Sequence, residues 1–599
     1  MSSDVEYLLL KEKGPFHDVC VRRRLNTSPS TCKFYAVVIS ILVVCMVSLL
    51  VSLVYVFVLV PSWQGTVLSW DGRLAVDRQD HAYPEAHTLC GPVRGVIEKG
   101  VHVFRGIPYA RPPAGERRWK EPLHMSHSAG TCWSGTFSAT RFGSPCPHPA
   151  GNLSYSDIVG HEDCLYLNIW TPTLDPLANL PVMVWIHGGF LVYLSGNTPG
   201  YSPTPELATS TNAVYISFNY RLGPLGFLSL DLLSKASGTR RSGNYGLLDQ
   251  LLALRWVRDN IKNFGGNPNK VTVFGQSSGG SSISALLASP LAAGLFHRTW
   301  VSSPLPLLPK DMRSASQDNL VLLNKTGCAD LECLMSLTAS DLIRASPWKV
   351  YWDPEDLFDL PQPGPIAGLT PVIDGYVLTS SPLDTWHRGR GNSVPTLFTT
   401  TAQEADLMPF DLDIRNWTWS RYESEVRKRL APFGEDVADT ALELYPPEDQ
   451  LTPEYQYTSM VSDIRFTCPT DAMADAAAAL SHAPVYRAVV TSFPSHPITV
   501  LHSLWRPTYA FHSWDLLAFF GDFAALGFTP EKLDLDFQRV LRQQVMTLAR
   551  DGQPEAPVWQ PFHSCTALLS DHVFPVDHFN RDRCSYWLKK GVLPRSDGN

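Results

Sequence analysis

The chain has 599 residues, 18% of them charged, with 48 prolines and a net charge of −8. A charged share below the usual quarter points to a large buried interior with many ordered loops, and the mild acidic balance gives no electrostatic footprint for nucleic-acid binding. The length allows several domains by a prior that is soft for α/β enzymes, and no internal repeat, heptad run or low-complexity tract divides it.

The first 33 residues form a short tail that includes DVEYLL, which resembles an acidic dileucine endosomal sorting signal; six-residue matches of this kind are common by chance. Phe34 to Val60 is then 27 residues without a charge. That exceeds the roughly 20 residues needed to cross a bilayer and the 7–15 of a cleavable signal's apolar core, so a membrane anchor over 34–60 is expected, against the alternative of a wholly buried core helix. Arg22, Arg23, Arg24 and Lys33 precede it, whereas Arg73 and Arg78 follow beside Asp71, Asp77 and Asp80. The positive-inside rule therefore predicts a type II protein: a cytoplasmic tail (1–33), a stalk (61–88) and an extracellular or lumenal domain (89–599), at the cell surface or in endosomes and lysosomes. In such an oxidising compartment cysteines usually pair. Nine of the twelve lie there, an odd number that leaves at least one over. Asn152, Asn324 and Asn416 open glycosylation sequons on the same side.

The apolar run PVMVWI predicts a strand leading into His187, Gly188, Gly189 and Phe190, a loop of the kind whose backbone amides hold an oxyanion. Further on, VTVF predicts a buried strand and the small residues after Ser278 a helix, joined by Gly275-Gln276-Ser277-Ser278-Gly279. This fits the G-x-S-x-G elbow, in which the glycines permit a sharp turn that presents the Ser277 hydroxyl; an ordinary steric turn would use the same residues. A serine hydroxyl needs a base and an oxyanion site before it attacks an acyl carbon. Two more predicted strands follow: VPTLFTTT leads to Glu404 and Asp406, and APVYRAVV leads by a loop to His512, with His502 as a rival histidine. The order nucleophile, acid, histidine is that of α/β-hydrolases, with each group after a strand at the carboxyl edge of a mostly parallel sheet.

From about Gly91 to Pro594 the chain resembles the type-B carboxylesterases, the family of cholinesterases, carboxylesterases, neuroligins and neurotactin. The resemblance is carried by FRGIPYARPPAGERRW, HEDCLYLNIWTP, NYRLGPLGFLS, GNYGLLDQLLALRWVRDNIKNFGGNPNKVTVFGQSSGG, PVIDGYVL and ARDGQP. It implies an α/β-hydrolase fold with a twisted, mostly parallel central sheet flanked by helices. It puts the nucleophile on Ser277, the acid on Glu404 rather than Asp406 and the base on His512, with Asp515 in a structural role. The oxyanion hole falls on Gly188, Gly189, Phe190 and Ser278. Phe190 stands where the family has a third glycine and Leu194 where it has a later one, so a side chain is expected to restrict the loop and crowd the acyl site.

The family pairing implies bridges Cys146–Cys164, Cys328–Cys333 and Cys468–Cys584. Cys90 and Cys132 are a candidate fourth pair outside the family pattern, and Cys565 is unassigned. The loop between Cys146 and Cys164 holds no tryptophan, which argues against cholinesterase activity. No metal or other cofactor is expected, since the cysteine spacing fits no common zinc pattern. Expected partners are a small ester substrate, the bilayer at 34–60, and either a second copy through the C-terminal helices or a cell-surface protein. Two functions remain open: a membrane-anchored serine esterase, and a weakly active or inactive adhesion or ligand-binding ectodomain.

Overall fold

The computed structural model describes residues 83–592 apart from 151–153, 306–308, 348–357, 363–368, 481, 501–504 and 556–558. The expected anchor at 34–60, the sequon Asn152 and the rival His502 lie outside the described residues. Among the described residues no helix is long and apolar enough to cross a membrane.

Eleven strands make the central sheet. In chain order they are β1 (Val96–Glu98), β2 (Val101–Pro108), β3 (Tyr166–Thr171), β4 (Leu180–Ile186), β5 (Val214–Phe218), β6 (Gly266–Gln276), β7 (Arg298–Ser302), β8 (Thr396–Thr401), β9 (Val485–Val490), β10 (Thr566–Leu569) and β11 (Val573–Val576). Their spatial order is β11-β10-β9-β8-β7-β6-β4-β5-β3-β2-β1. The run from β5 through β10 is parallel, and only the two margins are antiparallel.

The sequence explains why the middle of this sheet is covered on both faces. Every residue of β4 is buried, and the side chains alternate between two cores: Met183 and Trp185 join one, Val182, Val184 and Ile186 the other. A strand buried on both faces has no solvent-facing position, and β4 answers with an unbroken apolar run. The predicted strand at 271–274 extends over Gly266–Gln276, and the helix after it runs over Ser278–Ala288, wholly buried despite its serines. Those hydroxyls find backbone acceptors: Ser282 Oγ donates to the Ser278 carbonyl one turn back at 2.9 Å, and Ser281 Oγ to the Leu305 carbonyl at 2.8 Å.

A buried bidentate ion pair, Arg221 to Asp249 (2.8 and 2.7 Å), ties the loop after β5 to the helix Tyr245–Asn260, joining two of the quoted motifs. Disulfides link Cys90–Cys132, Cys146–Cys164, Cys328–Cys333 and Cys468–Cys584, and Cys565 is buried and free. The last bridge fixes the helix Arg581–Lys590 to the helix Cys468–Leu480. At the other end, strand Glu85–Thr88 pairs antiparallel with Gly91–Arg94, so residues expected at the end of the stalk take part in the folded unit.

Candidate active site

The turn at Ser277 is dictated by close backbone contacts. A Cβ at Gly275 would lie 2.8 Å from the Ile186 carbonyl oxygen, one at Gly279 only 2.2 Å from it, and one at Gly280 2.7 Å from the Ser302 carbonyl oxygen. With no side chains there, the helix start packs directly on the ends of β4 and β7. Ser277 is driven to φ 58°, ψ −129°, a conformation that costs a residue with a Cβ about 1–3 kcal/mol. Its own N–H donates to the Ser302 carbonyl at 2.9 Å, and its carbonyl accepts from Ser281 N–H at 2.9 Å, which offsets that cost.

Glu404 begins a short 3₁₀ turn directly after β8, and His512 ends the loop that leaves β9 and precedes the helix Trp514–Phe520. Because the strands are parallel, their carboxyl ends share one edge, and the two side chains meet. His512 Nδ1 lies 2.5 Å from Glu404 Oε2. Glu404 is fully buried, and its other oxygen accepts from Ser303 Oγ at 2.6 Å and Thr401 N–H at 2.7 Å. A carboxylate satisfied by three donors holds the imidazole with Nδ1 protonated and Nε2 as the acceptor. Nε2 faces the Gln276 side-chain nitrogen at 2.9 Å, and no hydrogen bond joins it to Ser277 Oγ among the described residues.

Asp406, the rival acid, has a different task. It accepts from the backbone N–H groups of Thr508 (2.7 Å) and Tyr509 (2.8 Å) and from Trp505 Nε1 (3.1 Å), so it shapes the loop that delivers His512. Asp515 is also buried; it accepts from Ser302 Oγ at 2.6 Å and Thr399 Oγ1 at 3.3 Å, bracing the ends of β7 and β8.

The loop after β4 carries the candidate oxyanion donors. His187 is fully buried, and burial pushes its imidazole down to about 3, so it is neutral. Its Nδ1–H donates to the Gly188 carbonyl at 2.8 Å, its ring stacks on Tyr220 at 4.4 Å, and Tyr220 Oη–H donates to the His187 carbonyl at 2.8 Å. Gly188 lies against the elbow: a Cβ there would be 2.7 Å from the Gln276 carbonyl oxygen and 3.2 Å from Ser277 Cβ. Ser278 N–H, in the first turn of its helix, has no intrahelical acceptor and is available to a ligand.

Phe190 adopts φ 58° and Leu194 φ 75°, both in the left-handed region that glycine favours, and Leu191 does so at φ 64°. The loop therefore keeps a glycine-like path where the sequence lacks the glycines. Its cost is offset by ties such as Leu191 N–H to Ser278 Oγ at 3.1 Å and Gly223 N–H to the Leu191 carbonyl at 2.7 Å. The Phe190 ring stacks on Tyr193 and meets Phe358 edge-on at 6.5 Å. Phe358 and Phe466 in turn lie 5.5 and 5.1 Å from the His512 ring. Ser277 is 3% and His512 2% exposed beneath this aromatic cover.

Sequence reasoning did not find Gln276, Tyr201 (whose hydroxyl donates to the Gln276 side-chain oxygen), Ser303, Phe358 or Phe466. Gln276 had a signal, since it is the residue directly before the elbow serine; the two phenylalanines are brought over His512 only by contacts spanning tens to more than a hundred residues. Phe466 sits in a π-helical turn, Asp463–Thr467, a local distortion often found at functional sites.

Burial pushes the Asp406 carboxyl up to about 7 against its backbone donors. An unfolded carboxyl titrates near about 3.9, so between about pH 4 and 7 the folded state binds the additional proton and this contribution is lost as pH rises. Urea unfolding of the wild type and Asp406→Asn is expected to show their stability gap moving against the wild type across that window, by on the order of a few kcal/mol. A gap that stays constant from pH 4.5 to 7.5 contradicts the assignment.

Comparison with known proteins places this geometry in a family. A model of the Carboxylesterase family matches residues 82–587. Para-nitrobenzyl esterase of Bacillus subtilis is 34% identical over 508 residues, covering 82% of this chain and 95% of that protein. Drosophila melanogaster neurotactin is 30% identical over 557 residues, covering 92% of this chain and 61% of neurotactin. Among solved structures, a PNB esterase superposes with a TM-score of 0.68 at 30% identity, covering 86% of this chain and 100% of that one. A Geobacillus stearothermophilus carboxylesterase gives 0.68 at 28% identity, with 84% and 99% covered. With the serine elbow, the glycine-shaped loop and the glutamate–histidine pair on one sheet edge, the chain belongs to the carboxylesterase family.

Proposed function

We propose that the chain is a serine hydrolase of carboxylic esters, with Ser277 as nucleophile, His512 as general base and Glu404 as the acid that orients it. The observation that supports this most is the buried Glu404–His512 hydrogen bond of 2.5 Å beside a strained serine elbow. In the first step the Ser277 hydroxyl proton passes to His512 Nε2 while Oγ bonds to the ester carbonyl carbon, and the carbonyl oxygen becomes an oxyanion facing Gly188, Gly189, Phe190 and Ser278 N–H groups. The carbon–oxygen bond to the alcohol then breaks, the proton moves from Nε2 to the departing alcohol, and an acyl-serine remains. Water repeats the sequence: its proton goes to Nε2, its oxygen to the acyl carbon, and the acid leaves as Ser277 regains its proton. Glu404 stays a carboxylate throughout and stabilises the imidazolium.

Esterase names among the relatives, para-nitrobenzyl esterase and carboxylesterase, support an ester substrate. A second reading, a ligand-binding ectodomain in which the elbow persists as a turn, is favoured by one observation: Ser277 is buried and its base is engaged by Gln276. A fluorophosphonate, which needs a nucleophilic serine and little substrate fit, separates the two. The full-length protein is expected to be labelled at Ser277. Labelling is abolished in Ser277→Ala and His512→Ala and slowed on the order of 10³–10⁴-fold in Glu404→Ala. Phe190→Gly is expected to label within about threefold of wild type, because residue 190 already holds a glycine-like φ; a change near 10²-fold, the worth of an oxyanion donor, would show that its side chain sets the hole. A folded protein that takes no label favours the binding reading.

The membrane topology is part of the same proposal: residues 1–33 cytoplasmic, 34–60 the signal anchor, 61–88 the stalk and 89–599 outside, at the cell surface or in endosomes and lysosomes. Four disulfides suit an oxidising compartment, and Asn324 and Asn416 are exposed. Glycan mapping is expected to find sugar on Asn152, Asn324 or Asn416 and none on Asn26, whose NTS sequon lies in the tail; modification of Asn26 would reverse the topology.

A further inference from the structure

The base of the proposed triad has its acceptor already occupied. His512 carries its proton on Nδ1, facing Glu404 at 2.5 Å, so Nε2 offers only a lone pair. The group 2.9 Å from Nε2 is the Gln276 side-chain nitrogen, which has protons to give. The other end of the amide fixes this orientation: Gln276 Oε1 accepts from the Tyr201 hydroxyl, and an amide turned the other way would place its oxygen against the Nε2 lone pair and its NH₂ against that hydroxyl. Tyr201 is 5% exposed, with its ring edge-on to Trp185 at 5.1 Å, so it anchors rather than follows the amide. The hydrogen bonds thus run in one direction, Tyr201 to Gln276 to His512, and Ser277 Oγ is outside them.

A neutral imidazole has a single lone pair, and the lone pair that must receive the Ser277 proton is the one that Gln276 fills. We propose that Gln276 is a positioning residue that holds His512 Nε2 in the resting site, oriented by Tyr201, so that Ser277 gains its base only when the Gln276 amide is displaced. This rests on reading Ser277 and His512 as nucleophile and base. Only a side chain with a proton to donate can do this. Methionine at 276 removes both bonds at similar volume. Tyr201→Phe leaves Gln276 in place and frees its amide to turn.

The test uses the full-length protein and two readouts: the second-order rate constant for fluorophosphonate labelling at Ser277, and the ¹⁵N resonance of His512 Nε2 in histidine-labelled protein, assigned by its loss in His512→Asn. Gln276→Met is expected to raise the labelling rate about three- to tenfold, the worth of one neutral hydrogen bond. Tyr201→Phe is expected to change it in the same direction. The Nε2 resonance should move downfield in Gln276→Met as the nitrogen loses its donor. An unmoved resonance in Gln276→Met overturns the inference whatever the rates, and so does a shifted resonance with unchanged or slower labelling in both variants of a wild type that labels. If neither wild type nor variants label, the nucleophile reading has failed, and the resonance alone decides whether Gln276 holds the imidazole.

Discussion

The molecule is organised around backbone that touches backbone at the Ser277 turn. Gly275, Gly279 and Gly280 bring the start of a buried helix within van der Waals contact of the Ile186 and Ser302 carbonyls, at distances that no Cβ can share. This close approach fixes the helix on β4 and β7 and drives Ser277 to a positive φ. The remaining site groups are placed from the same strand ends. Ser303, next after β7, holds one Glu404 oxygen, and Asp515 ties β7 to β8. A substitution at any of these glycines therefore acts on the whole edge of the sheet, because the strands and the helix can only move together.

Much of this arrangement is legible in the residues themselves. A strand buried on both faces reads as a run of apolar or β-branched residues, and PVMVWI and VTVF both do so. Punctuation by glycine at fixed offsets then marks the elbow, and chain order supplies the acid and the histidine. The choice between Glu404 and Asp406 rests in the sequence on resemblance alone. The structure supplies the physical reason: Asp406 Oδ2 is taken by the amides of Thr508 and Tyr509 and Oδ1 by Trp505 Nε1, so the carboxylate is committed to the loop and not to an imidazole. What is not legible depends on side chains that meet only in three dimensions. Phe358 and Phe466 carry no local pattern that places them over His512, and nothing in GQSSG says that the glutamine amide turns toward a histidine 236 residues away.

The loop from His187 to Leu194 shows how a fold can keep a backbone path after losing the residues that make it inexpensive. Phe190, Leu191 and Leu194 all occupy the left-handed region, each at a cost of roughly 1–2 kcal/mol. Packing compensates, with Leu191 and Leu194 buried and Phe190 stacked on Tyr193. The loop keeps a glycine-like backbone path while aromatic rings pack on Phe190 and His512. In the proposed mechanism, entry of an ester requires those rings to give way, and the same displacement is the occasion for Gln276 to release the imidazole.

The central claim is that Ser277 forms a covalent acyl intermediate. Rapid mixing of the full-length protein with a p-nitrophenyl ester, followed by acid quench and peptide mass spectrometry, tests it most directly. The account predicts a burst of p-nitrophenol approaching one per active site, with the acyl mass on the peptide containing Ser277 and its disappearance as turnover proceeds. Steady release of p-nitrophenol with no acylated peptide, or an acyl group on a different residue, would contradict it.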